Sequence, residues 1–336
     1  MRVLYHVTTP PPALPGTEAV LQEIQHLLGR VEGEVVYLNP SPTPRTRVPR
    51  PFYGLHRLPA IRRREAAIDL HHIFNPDLFV FPVLRFLRKP VIYSVVSGLG
   101  GRVPRGLGGL SRVLVPSRGD VARLAERGYG GGRAILPGID LAGFTPAAPP
   151  PISPFVILAG SAPWTAEQFR TKGVDALLAV AVSMPDLQLI FLWRGVGEAE
   201  MRARVAALGL DERVEIIGHR VDVNTVLARS HAAILLADRP EIVKAYPHSL
   251  LETLAVGRPV LISDCVPMSE YVQSQGCGEV VAGVDEASLA QAIGRLRAEY
   301  GARQSAAVAV GRRDFDHVRM VDEVVRVYGE VIRHRT

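Results

Sequence analysis

The chain has 336 residues, 47% hydrophobic and 21% charged, with a formal net charge of +6 and a mean hydropathy of +0.14. That length suits two ordinary domains, each able to bury a core, and the composition excludes a disordered chain. Two cysteines, Cys265 and Cys277, argue against a disulfide framework and a cysteine-based metal site, and a reducing cytoplasm is the expected compartment.

MRVLYHVTT at the N-terminus reads as a short strand and not a signal peptide, because no apolar h-region follows. Residues 2–7 form a buried strand and the loop TTPPPALPGTE follows it. A helix is expected from Glu18 to about Gly29, then the strand EVVYLN. The next stretch is basic, from Arg45 to Arg64, and carries Phe52, Tyr53 and Leu55. Residues 1–150 hold 19 basic against 10 acidic residues. That stretch reads first as a solvated arginine-rich loop and second as a peripheral contact with an anionic membrane face. Strand-like AAIDLHHIFN (66–75), a helix over Leu78–Leu87, and the strands PVIYSVV and SRVLVPS follow. Ser117 caps a helix to Arg127, and RAILPG is a strand into a turn.

TPAAPPPISP (Thr145 to Pro154) is a proline-rich linker. Past it the alternation resumes: strands PFVILAG, LQLIFLW, VEIIG, HAAILLA, PVLIS and GEVVAG are separated by helical patterns. A final helix over about Phe315–Ile332 places Val318, Val321, Val324, Val325, Val327 and Tyr328 on one face. The fold class is therefore α/β, with two Rossmann-like doubly wound domains. The divisions are 1–147, 148–314 and a C-terminal helix, 315–336. No stretch reaches the roughly 18 to 20 apolar residues of a spanning helix.

The segment KAYPHSLLETLAVGRPV, Lys244 to Val260, is the most informative. Pro247 fits just before a helix start, His248 or Ser249 can cap it, and Leu250, Leu251 and Leu254 follow at helical spacing. Gly257 and Pro259 end the helix ahead of a strand. A helix N-terminus presents unpaired amides and partial positive charge, which suits phosphate. Glu252, near the first turn, could accept hydrogen bonds from sugar hydroxyls. A second motif, Phe169-Arg170-Thr171-Lys172-Gly173, precedes the helix near Val174. The chain has three lysines, Lys89, Lys172 and Lys244. Where arginine is the default cation, a retained lysine hints at a need for a compact ammonium.

These motifs, with Gly16-Thr17-Glu18 and ILPGIDLAGFTP, resemble the GT-B glycosyltransferases of family 4, retaining enzymes that use nucleotide-sugar donors. The resemblance implies two domains facing across a cleft, with the last helix crossing back to the N-terminal domain. It implies that Lys172 contacts the donor diphosphate, where an ammonium offsets charge on the leaving group. Ser249 and the Leu250 amide would hold the diphosphate, beside His248 and Gly160. Gly218, His219 and Arg220 would approach the nucleobase, Glu252 would grip the ribose, and Gly16 would lie near donor phosphate. No arginine stands in Gly160-Ser161-Ala162, so Arg194 or Arg170 could supply a second cation, with Arg194 preferred at the end of its strand. Lys172, Arg194 and Lys244 are the catalytic candidates. No metal or cofactor is expected beyond the nucleotide sugar itself.

Two departures from the family stand out. Lys244 falls where the first of two glutamates is usual, which suits an acidic sugar, a phosphorylated acceptor or an ion pair with a relocated carboxylate. Val96 falls where a histidine is usual, and His71 and His72 could line a cleft instead, although a histidine in a strand is more often a packed core residue. The expected activity is transfer of a sugar to a glycan, lipid-linked or small-molecule acceptor. The alternative is a non-catalytic or partner-dependent protein that binds nucleotide or glycan. An epimerase on the same fold is less favoured, because acidic residues and histidines are few. A nicotinamide enzyme is poorly supported by Gly195-Val196-Gly197, which lacks the third glycine. Basic charge alone does not argue for nucleic acid.

Overall fold

The computed structural model describes residues 1–8, 19–39, 48–100, 103–193 and 196–334. Gly16, Arg194 and the start of the Arg45–Arg64 segment lie outside them. The chain divides into two compact units, Met1–Gly138 with His317–Thr336, and Ile139–Asp316. The division thus falls at Gly138/Ile139, ahead of the proline-rich segment.

In the first unit the strands β1 (Arg2–Val7), β2 (Glu32–Tyr37), β3 (Leu70–Asn75), β4 (Val91–Val95), β5 (Arg112–Val115) and β6 (Gly132–Ala134) form one sheet. Its order is β2-β1-β3-β4-β5-β6, with each pair parallel. Alternate side chains of β1 enter two cores: Leu4 joins Ile61, Ile73, Phe81 and Tyr93, and Val3, Tyr5 and Val7 join Ile24 and Leu27. Helices α1 (Ala19–Leu28), α2 (Leu58–Arg64) and α3 (Arg118–Glu126) complete this part. Ser117 caps α3, its hydroxyl accepting from the Asp120 amide at 3.0 Å.

In the second unit β7 (Phe155–Ala159), β8 (Leu187–Leu192), β9 (Val214–Ile217), β10 (Ala232–Leu235), β11 (Val260–Ser263) and β12 (Gly278–Val281) form a second sheet. Its order is β12-β11-β10-β7-β8-β9. The unit's first strand lies between its second and its fourth, so the order reverses between β7 and β10. The helices are α4 (Glu167–Thr171), α5 (Val174–Ser183), α6 (Glu198–Ala207), α7 (Val223–Ala228), α8 (His248–Ala255), α9 (Met268–Gln275), α10 (Glu286–Ala298) and α11 (Tyr300–Asp314). One core of Phe155, Ile157, Leu178, Leu189, Trp193 and Leu261 fills the unit.

The last helix, α12 (His317–Arg333), belongs to the first unit and buries Met320, Val321, Val324, Val327, Tyr328 and Val331 there. Val318, expected on that face, is 46% exposed. The helix expected over Leu78–Leu87 is instead a single 3₁₀ turn, Pro82–Phe86. Its chain is claimed by a side chain: Tyr93 Oη accepts from the Phe79 amide at 3.2 Å and donates to the Phe79 carbonyl at 2.9 Å. Among the described residues no helix is long and apolar enough to cross a membrane.

Candidate functional site

Gly160, Lys172 and Ser249 come together at the carboxyl end of β7, beside the reversal of strand order. Gly160 follows β7 directly. A Cβ there would lie 3.2 Å from Ser249 Cβ, so a side chain at position 160 would press on the first turn of α8, which packs close against the strand end. Pro247 precedes α8 and no side chain caps it. His248 and Ser249 therefore sit inside the first turn instead of capping it. The Leu250 amide turns back to the Pro247 carbonyl at 3.0 Å, and its side chain is fully buried. Glu252 is half-buried as the fifth residue of α8, one or two positions further from the helix N-terminus than a cap at His248 or Ser249 would place it.

Lys172 enters the same corner from the turn between α4 and α5. Its Nζ donates to Ser161 Oγ and to the Ala162 carbonyl, both at 3.2 Å. Burial holds the Lys172 pKa below the usual lysine value. Gly173 makes the turn possible: its φ is +67°, and a Cβ would meet Leu236 Cδ1 at 2.5 Å. The Asp238 amide, just past β10, donates to the Thr171 carbonyl at 2.9 Å. The lysine turn is thereby pinned to the strand that flanks the reversal point.

Lys244 is half-buried in the segment entering α8. That segment is anchored by the Met268 amide donating to the Ala245 carbonyl at 3.1 Å and by Tyr246, which lies 6.3 Å from Tyr271. Burial, and next the charge of Lys244, lower the His248 pKa to about 4. At neutral pH His248 is a neutral imidazole, a hydrogen-bonding group and not a cation. His219 and Arg220 are exposed after the edge strand β9, two strands removed from β7. Ser161 was missed as a participant, since a lone serine after a strand carries no signal of its own.

In the first unit His71 and His72 are structural. His71 is fully buried, its Nδ1 3.0 Å from His6 Nε2 and its Nε2 3.1 Å from Glu65 Oε1. His72 is equally buried, 2.6 Å from Tyr328 Oη and 2.8 Å from Ser94 Oγ. Neither lines an opening. Val96 is partly buried against the core. Much of the basic segment is also engaged. Arg50 pairs with Asp77 at 2.9 Å, Arg62 with Glu65 at 3.4 Å and Arg64 with Glu34 at 2.9 Å. Tyr53 stacks on Phe81, inside the core. Among the described residues no group of three or more His, Cys, Asp or Glu side chains is placed to hold a metal ion.

Comparison with known proteins bears on both units. Solved structures match across the whole chain. A glycosyltransferase from Rickettsia africae superposes with a TM-score of 0.74 at 16% identity, covering 98% of each chain. An Anabaena protein, HepE, crystallised with UDP, does so with a TM-score of 0.70 at 16% identity, covering 98% of this chain and 100% of that one. The fold is GT-B. Within this GT-B chain, residues 165–308 match the family described as glycosyl transferases group 1. That stretch holds Lys172, His219, Arg220, Lys244, His248, Ser249, Leu250 and Glu252. A phosphatidyl-myo-inositol mannosyltransferase of Mycobacterium leprae is 29% identical over 161 residues, 47% of this chain and 42% of that protein. The matched stretches span less than half the length of each of the curated relatives found.

Proposed function

We propose that the protein is a retaining, metal-independent glycosyltransferase of family 4. It would move a sugar from a nucleotide-diphosphate-sugar donor to a glycan, lipid-linked or small-molecule acceptor. The observation that carries the reading is the corner formed by Lys172, Gly160 and the uncapped start of α8 at the carboxyl end of β7. An ammonium and a helix N-terminus converge there, which suits a diphosphate in both ground and transition states. The match of residues 165–308 to a glycosyltransferase family and the UDP held by a structural neighbour support it.

In this reading Lys172 and the Ser249 turn neutralise charge on the departing diphosphate. A diphosphate oxygen takes the acceptor proton on the same face, so the anomeric configuration is kept. Glu252 receives the ribose hydroxyls, and His219 and Arg220 border the base. Lys244 selects the sugar, and Arg194 and Gly16 complete the donor contacts. No paired carboxylates are needed, unlike glycoside hydrolysis. The protein acts in the cytoplasm, with Arg57, Arg63 and the exposed Phe52 available for peripheral contact with a membrane face.

The test is turnover of UDP- and GDP-sugars, uronate donors included, by purified protein without added metal. Lys172→Ala and Glu252→Ala should abolish it. Uronate donors should raise the thermal midpoint more than neutral ones, with Lys244→Glu reversing the order. Equal shifts would sink the assignment of Lys244. A second reading, a nucleotide-binding partner subunit, rests on Val96 packing into the core where an imidazole is usual. Donor binding without turnover in any mixture would favour it.

A further inference from the structure

The amino-terminal edge of the first unit's sheet, opposite the strand ends where doubly wound folds bind their substrates, contains a cavity of about 410 Å³. Arg88, Lys89, Arg112 and His334 line it beside Leu87, Ser111 and Val331. Lys89 and Pro90 lead into β4, Arg112 is the first residue of β5, and His334 directly follows α12. Among the described residues no acidic side chain lines the cavity.

Three basic side chains, those of Arg88, Lys89 and Arg112, face it. Among the described residues, no carboxylate pairs with the side chains of Arg88, Lys89 or Arg112. Among the described residues the Arg112 side chain makes one hydrogen bond, from Nη1 to the neighbouring Ser111 carbonyl at 2.7 Å, and its Nε is buried without a partner. The turn that presents Arg88 and Lys89 is built. Glu65 Oε1 accepts from the Arg88 amide at 2.6 Å and the Lys89 amide at 3.4 Å, and the carboxylate is itself buried. Glu65 thus fixes the backbone of the turn while leaving both side chains at the opening. Like charges facing one cavity repel one another, and an orphaned guanidinium donor is costly. A bound anion removes both penalties.

We propose that this cavity is a phosphate-binding site, separate from the corner at Lys172, that takes a phosphate ester of a soluble metabolite or of an anionic lipid headgroup. The full chain should bind inorganic pyrophosphate by calorimetry, or sediment with phosphatidylglycerol vesicles and not with phosphatidylcholine vesicles. Pyrophosphate titrations are run with the Lys172 corner saturated by UDP. Arg88→Ala and Lys89→Glu should each weaken binding by about tenfold or more, with circular dichroism unchanged. The exposed Arg88 keeps the test valid if Lys89→Glu fails to fold. Pyrophosphate binding alone assigns a soluble ligand, and vesicle binding alone assigns a lipid. Absence of both, or binding that Arg88→Ala leaves intact, overturns the proposal.

Discussion

Lys172 shows how much one side chain depends on its neighbours. The residue is 8% exposed, and its ammonium makes two hydrogen bonds to the loop after β7. A ligand phosphate at that corner would meet an already oriented cation. Lys172→Ala should weaken nucleotide binding by about 2 kcal/mol, roughly thirtyfold, read by calorimetry with UDP. An unchanged dissociation constant would remove the lysine from the site. His248 offers a test that needs no ligand. Its pKa is held near 4 by burial and then by Lys244. Lys244→Glu replaces repulsion of the imidazolium with attraction, so the His248 resonance should titrate at higher pH by NMR. A titration that stays put would show that Lys244 does not act on this ring.

At the scale of elements, two buried devices hold the second unit's site in place. Gly173 adopts φ +67° against Leu236, so Gly173→Ala should cost about 1–2 kcal/mol and displace Lys172. The readout is a lower denaturant midpoint together with weaker UDP binding. Arg258 is fully buried and donates to four carbonyls, those of Ser230, Ala147, Ala148 and Ala228. It ties the proline-rich segment to the ends of α7 and α8. Arg258→Met leaves those acceptors unsatisfied and should destabilise by about 3 kcal/mol or more, read as a lower thermal midpoint. In the sequence, Gly257 and Pro259 are the helix stop and the arginine between them carries no role. Its fan of carbonyls comes from distant parts of the chain, which a local pattern does not reveal.

For the whole molecule, acid is the informative stress. Burial lowers the His72 pKa to about 3, and His6 and His71 are also lowered by burial. In the unfolded chain these rings titrate near 6.5. Between the two values the unfolded state binds more protons, so stability rises with pH and is lost as pH falls below about 6.5. For His72 alone the slope approaches about 1.4 kcal/mol per pH unit down to about pH 3. The thermal midpoint should therefore fall steeply from pH 6.5 to 4.5. A triple variant of His6, His71 and His72 to Gln should flatten that dependence if it folds. His72→Gln alone should flatten it in part. A wild-type midpoint constant over that range would contradict the buried neutral rings.

The sequence by itself determined the alternation of strands and helices, the two doubly wound sheets and the lysine and α8 motifs. Those signals are local: periodicity, a proline before a helix and a glycine after it. Leu78–Leu87 misled because its apolar spacing suits a helix while Tyr93, from a strand further along, binds its backbone. The tertiary structure decided which partners each polar group meets. It buried His71 and His72 in hydrogen bonds that include a contact with Tyr328, far along the chain. It also paired Arg50, Arg62 and Arg64 with carboxylates, leaving Arg88, Lys89 and Arg112 without one. Burial and charge pairing depend on residues distant in sequence, and only the folded chain brings them within reach of one another.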